Sequence, residues 1–186
     1  QAPGKCVVAV VGAGHLIGIQ KHLKEAPQPL EPILALPPPS PWGKIIGWGV
    51  PIAIITAVLL TLRVDPKAAQ EGVLIWIFAT GSLCALGGII ALAHPLTILT
   101  GLVAAPITTL SPVLGASYFT GLAQIFLSPP KVGELESLPD DLTNWKKWWS
   151  NRALKVFLVF ILTGVGAAAG NLIGTVEVYR RLISVL

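Results

Sequence analysis

Methionine is absent from this 186-residue chain, cysteine occurs twice, and charge is scarce: Lys and Arg number 13, Asp and Glu 9, together 12% of the residues. That share is about half of what a soluble domain carries. Hydrophobic residues make up 53% and mean hydropathy is +0.74, so the class read from composition is an integral membrane protein with a lipid bilayer as its first partner. The length leaves room for one small bundle and a short water-facing portion, not for two soluble domains. Without Met, and with Gln1 in front, the amino terminus is expected to be processed or incomplete, with any targeting peptide already removed. Cys6 and Cys84 lie far apart in apolar surroundings, which favours buried free thiols over a disulfide. The net charge of +4 is dispersed. A phosphate-tracking protein gathers its cations on one face, so nucleic acid is not an expected partner.

The stretch from His94 to Pro130 contains no Lys, Arg, Asp or Glu. It is apolar enough for a bilayer, yet Pro106 and Pro112 each remove a backbone donor and clash with the preceding helical turn. In lipid a broken helix survives only where neighbours, hydroxyls or a cavity satisfy the freed carbonyls. Thr97, Thr100, Thr108, Thr109, Ser111, Ser117 and Thr120 are placed to do so. The expectation is a Pro-broken element shielded inside a bundle: two half-helices, a re-entrant pair or one kinked crossing. His94-Pro95 opens it. A lone His before Pro most often satisfies the last carbonyls of the helix before it; ligation of a haem or chlorophyll-like metal is the competing reading, with no partner ligand at a recognisable spacing.

Upstream, Cys6 to Val11 reads as a short buried strand, followed by a glycine turn over Gly12 to Gly18 and an amphipathic stretch ending near Lys24. A dinucleotide fingerprint fails there, because Ile17 stands where the third glycine belongs and no ribose-binding acid follows a second strand. What remains is Gly12, Gly14 and His15, an imidazole presented on a tight turn. One histidine cannot hold a metal, for which three or four ligands are needed, so no metal site is assigned. Pro27 to Pro41 is dense in proline and reads as a semi-rigid tether. The expected organisation is a strand-turn-helix remnant over 1–26, a tether over 27–43 and a transmembrane helix bundle over 44–186.

Within that all-α bundle about four spans are expected, one of them Pro-broken. Lys44 to Leu62 is long enough to cross most of a hydrocarbon core of roughly 30 Å, with Trp42 and Trp48 at its start and Pro51 in its first turns. After a polar turn over Arg63 to Gly72, Val73 to Ala93 is the second span, with Gly81, Ala85, Gly87 and Ala91 on a small-residue face. Lys131 to Arg152 is a polar loop whose Glu134, Glu136, Asp140 and Asp141 lack the order of a calcium site. Trp145, Trp148 and Trp149 are spaced to share a helix face at the headgroup level. Leu154 to Val176 is the last span, and Gly166, Gly170 and Gly174 form one stripe that permits close backbone packing inside the bundle or between protomers. Four crossings and the positive-inside rule would put the amino-terminal segment outside or in a lumen.

The stretches VVAVVGAGHLIGI (Val7 to Ile19), AHPLTILTGLVAAPITTLSP (Ala93 to Pro112) and NRALKVFLVF (Asn151 to Phe160) resemble, in this order, the carboxy-terminal half of the TraB/PrgY, or pheromone-shutdown-like, family. The resemblance implies a preceding domain similar to the erythromycin-esterase/ChaN/TIKI group, in which two Gly-x-x-His motifs support metal-dependent hydrolysis. Only Gly12 and His15 match one of them here. Family members tend to carry Gly-Leu-Val-Glu and then Arg-Lys-Pro; here Gln124 replaces the acid and Ser128-Pro129-Pro130 the basic end. Intramembrane acids usually mark function. The expectation is therefore a noncatalytic membrane protein without cofactor, a scaffold or accessory subunit associated with other membrane subunits or with itself, in a prokaryotic plasma membrane or an organellar one. The alternative is the membrane half of a TIKI-like metal-dependent hydrolase whose remaining ligands lie elsewhere.

Overall fold

In the computed structural model the described residues are 8, 10–22, 41–111 and 114–185, and all regular structure among them is helical. The chain divides into two compact units, Gln1–Pro39 and Ser40–Leu186. In the first, α1 spans Ala13–His22 with none of its residues buried. The His15 N–H donates to the Gly12 carbonyl at 2.9 Å, so Gly14 and His15 belong to the first turn of a helix and not to a turn that projects an imidazole. Val8, Val10 and Val11 are exposed and lie in no strand. The rest of the Cys6–Val11 run, and the tether as far as residue 40, fall outside the described residues.

The second unit begins at Pro41, the proline occupying a helix start where its missing N–H costs nothing. Helix α2 covers Pro41–Val64, so the last residues assigned to the tether are helical. Asp65 is extended (φ −139°, ψ 99°), and its carboxylate accepts from the Lys67 and Ala68 N–H groups at 2.9 and 3.1 Å. Pro66 disfavours a helical residue before it, and Asp65 caps the helix that Pro66 opens. A single residue thus replaces the polar turn expected over Arg63 to Gly72, and α3 runs Pro66–Ile90. It ends on a bond from the Ala93 N–H to the Gly88 carbonyl at 2.9 Å, with Leu92 at φ 51°. This is a Schellman-type stop with leucine where glycine is usual.

His94-Pro95 repeats the Asp65-Pro66 device. His94 is extended, its Nδ1 accepts from the Leu96 N–H at 3.3 Å, and α4 spans Pro95–Thr108. His94 therefore caps the start of the next helix and does not close the one before it. Helix α5 covers Ala116–Leu127. Three short helices, α6 (Val132–Glu136), α7 (Leu138–Asp141) and α8 (Lys147–Ser150), occupy the polar segment expected to be a loop. Helix α9 spans Arg152–Val185.

At about 1.5 Å per residue α4 and α5 are roughly 21 and 18 Å long, too short for a core of about 30 Å. Their outer ends meet where the His94 N–H donates to Gln124 Oε1 at 3.0 Å. They form one antiparallel hairpin entering and leaving at the same end of the bundle. Three helices, α2, α3 and α9, are long and apolar enough to span a membrane, and the Pro-broken element expected as a further span is this hairpin of two shorter apolar helices. Helices α3 and α9 pack antiparallel along their lengths. The small core splits into clusters, Ala57, Trp76, Val178 and Leu182 at one end and Ala91, Ala93, Leu158 and Val159 at the other.

Candidate functional site

Small residues set the closest contacts of the bundle. A Cβ placed on Gly170 would lie 2.5 Å from the Ala79 carbonyl oxygen, and one on Gly174 would lie 2.7 Å from Trp76 Cα. Gly166 faces the Leu83 carbonyl and Gly87 faces that of Leu162, both closer still. These four pairings advance by about one helical turn along α3 while receding along α9. Each glycine Cα–H at a carbonyl is worth about 0.5–1 kcal/mol; the larger gain is the dispersion of two backbones in contact. The Gly166, Gly170 and Gly174 stripe thus packs against α3 of the same chain, the first of the two arrangements that its spacing allowed.

The same logic explains Pro106. It lies inside α4 without ending it, and removes the donor to the Leu102 carbonyl. That carbonyl points at Gly81 of α3, 2.6 Å from where a Cβ would stand. The expected hydroxyls bond elsewhere: Thr108 Oγ1 donates to the Ala104 carbonyl at 2.9 Å, Thr109 Oγ1 to that of Pro106 at 3.0 Å and Thr100 Oγ1 to that of Leu96 at 2.8 Å. A glycine on the adjacent helix, and not a threonine on the same one, faces the freed group. Pro112 lies outside the described residues.

A polar seam runs through the hairpin. Gln124 is 2% exposed, and its Oε1 accepts the His94 N–H described above. Thr120 and Thr163 share a bond at 2.7 Å between their hydroxyls, tying α5 to α9, and Thr163 Oγ1 also lies 2.7 Å from the Val159 carbonyl. Gly101 stands beside Thr120 and Cys84, its Cβ position 3.0 Å from Thr120 Cγ2. Cys84 is a buried free thiol; Cys6 lies outside the described residues. Thr97 is the exception: its hydroxyl is fully buried and makes no hydrogen bond.

At the outer end of the hairpin Asn151, 4% exposed, joins the short helices to α9. Its Oδ1 accepts from the Ala153 N–H at 2.9 Å as the cap of α9, and its Nδ2 donates to the Glu134 carbonyl at 2.8 Å and to Asp141 Oδ2 at 2.9 Å. Bonds from Asn151 and then Ser137, with Lys147 nearby, hold the Asp141 carboxyl below its ordinary range. The three tryptophans lie in and just before one short helix, Trp148 and Trp149 within α8 and Trp145 ahead of it; Trp149 Nε1 donates to the Ile90 carbonyl at 2.9 Å and Trp148 Nε1 to that of Leu142 at 3.3 Å. Trp145 is 69% exposed. Trp145 meets Trp149 edge to face with ring centroids 6.2 Å apart, and its carbonyl accepts from the Trp148 N–H at 3.3 Å. Asn151 was missed in the sequence, although an Asn directly before a helical run is a cap signal.

No group of three His, Cys, Asp or Glu side chains able to hold a metal occurs among the described residues. His15 lines an open concave surface with Gly12, Gly14 and Gly18, inside the first unit.

Taken together, a helical bundle with three helices long and apolar enough to span a membrane, and a half-length hairpin, is compatible with a membrane protein. More narrowly, the model for the TraB family protein, C-terminal domain, matches residues 42–183, and the chain belongs to that family. An uncharacterized protein of Methanocaldococcus jannaschii is 29% identical over 173 residues, covering 88% of this chain and 44% of its own length. The chain thus spans less than half of that relative. No solved structure matches this chain.

Proposed function

We propose that this chain is a noncatalytic TraB-type membrane module, a three-span bundle with a re-entrant hairpin that serves as a scaffold or accessory subunit. The carrying observation is how its buried polar groups are used. Gln124, Thr120, Thr163 and Asn151 are bonded to backbone or to one another across elements, and Trp76 Nε1 is held by Asn171 Oδ1 at 2.8 Å. These bonds fix helices against each other and leave the groups little capacity for a reacting molecule. With three crossings, Lys131, Lys146, Lys147, Arg152 and Lys155 share an end with Lys44 at the start of α2, while Arg63, Lys67, Arg180 and Arg181 lie at the other. The larger share falls at the first end, so the positive-inside rule assigns it to the cytoplasmic face, reversing the orientation that four crossings imply.

Cysteine labelling tests the topology. In a Cys6→Ser background, Asn144→Cys and Gln70→Cys should react with an impermeant maleimide from opposite sides of sealed vesicles. Labelling from the same side would defeat the three-crossing reading. A second reading, the membrane half of a metal-dependent hydrolase, draws support from the greater length of the archaeal relative. Metal analysis of purified protein with and without His15→Ala separates the two: a stoichiometric transition metal lost in the variant would favour the hydrolase.

A further inference from the structure

The half-length hairpin leaves a gap in the bundle. Helix α2 packs on α3 and α9, and between α2 and the hairpin tip lies a cleft of about 190 Å³ whose lining includes Ile54, Val58, Leu59, Trp76, Leu110 and Val178. Its walls are almost wholly apolar side chains. Water has no partners there, and apolar cavities of this order, about 150 Å³, stay dry and accept hydrocarbon. The cleft lies toward the end of the bundle where α2 turns into α3. Leu59 is one helical turn from Arg63, and Lys67 comes next across the Asp65 turn. Arg181 at this end is bound by Glu71 at 2.6 Å and Glu177 at 3.0 Å, and the Asp65 carboxylate is occupied by its helix start. Arg63 and Lys67 are exposed and form no ion pair among the described residues.

We infer that this cleft holds one hydrocarbon chain of an anionic phospholipid, whose headgroup phosphate rests at Arg63 and Lys67. The inference rests on the membrane reading above. An apolar slot open on one side within a bilayer is filled by lipid chain, because a void forfeits dispersion contacts along its lining. The two unpaired cations at the depth of the headgroups select the negative charge. The lipid chain lies between α2 and Leu110 of the hairpin and fills the space that the described side chains leave there.

The test is photo-crosslinking of the full chain in vesicles of phosphatidylglycerol or of phosphatidylcholine, each with a diazirine in one acyl chain, and mapping of the adducts. Phosphatidylglycerol should label Leu59 and Trp76 about fivefold more than phosphatidylcholine does, and Arg63→Gln with Lys67→Gln should abolish that preference. Val58→Trp, or Leu110→Trp from the opposite wall should the first variant not fold, should lower cleft adducts at least about fivefold while sparing the outward-facing Phe126 and Val165. Adducts at Phe126 and Val165 with none in the cleft, equal labelling by both lipids, or undiminished cleft labelling in a folded Trp variant would overturn the inference and leave the membrane reading intact. No adduct anywhere would instead sink the membrane reading.

Discussion

Replacing Gly170 by alanine adds one methyl group to a seam that has no space for it. The new Cβ would lie 2.5 Å from the Ala79 oxygen and 2.6 Å from Thr80 Cα, both backbone atoms, whereas ordinary contact begins at 3.4 Å. Neither atom can rotate away, so α9 and α3 must part by about 1 Å, a gap that forfeits a quarter to a half of each contact it opens. Overpacking of this kind costs about 1–3 kcal/mol, against which alanine returns up to about 1 kcal/mol of helix propensity. Gly49→Ala supplies the control, since nothing lies within 4 Å of its Cβ position and only the propensity gain remains. The propensity gain is common to both, so the two variants should differ by about 1–3 kcal/mol, or roughly 2–12 °C in the thermal midpoint at this chain length. Gly170→Leu should be worse still, and Gly115→Leu milder, because only Ser117 Oγ stands within 4 Å there, at 3.5 Å. Melting in mild detergent, monitored by tryptophan fluorescence, reads the difference. Because the seam is within one chain, the loss should not depend on protein concentration. Midpoints of Gly170→Ala and Gly49→Ala within about 2 °C would refute the reasoning, and a concentration-dependent loss would move the seam to an interface between chains.

Thr97→Val removes a buried hydroxyl that has no partner and should raise stability by about 1 kcal/mol, seen as a higher melting midpoint; a drop would mean that the hydroxyl is bonded. Leu92→Gly relieves a left-handed residue at φ 51° and should gain about 1 kcal/mol, while Leu92→Ala, which keeps the Cβ, should not. The Asp141 carboxyl titrates below its unfolded range of about 3.9, so its contribution is present above that value and is lost as pH falls through the lower folded one. Amide protection over α6 to α8, taken relative to intrinsic exchange at each pH, should fall as the solution is acidified below about pH 4, and Asp141→Asn should flatten that dependence.

The sequence by itself determined the family and the predominantly helical character, and it placed the helix limits only in part, since the polar turn expected over Arg63 to Gly72 shrinks to Asp65 alone. Scarce charge and long apolar runs yield three helices long and apolar enough to span a membrane, and Asp65-Pro66 and His94-Pro95 break helices through the local geometry of proline and the preceding residue. The Gly166, Gly170 and Gly174 stripe was legible because a four-residue spacing places all three on one face. What that face meets was not. Whether a glycine stripe pairs within a chain or between chains depends on which helices lie beside it, and only the packing of α9 on α3 put Leu83, Ala79 and Trp76 there. Local rules likewise offered threonines to the carbonyl freed by Pro106, since those are its neighbours in sequence. The fold brought Gly81 against it from another helix. The hairpin is the clearest case: length alone allowed a crossing or a return, and the bond between the His94 N–H and Gln124, 30 residues apart, marks the return. Such choices rest on contacts between residues distant in sequence, which leave no periodicity in the chain to be read.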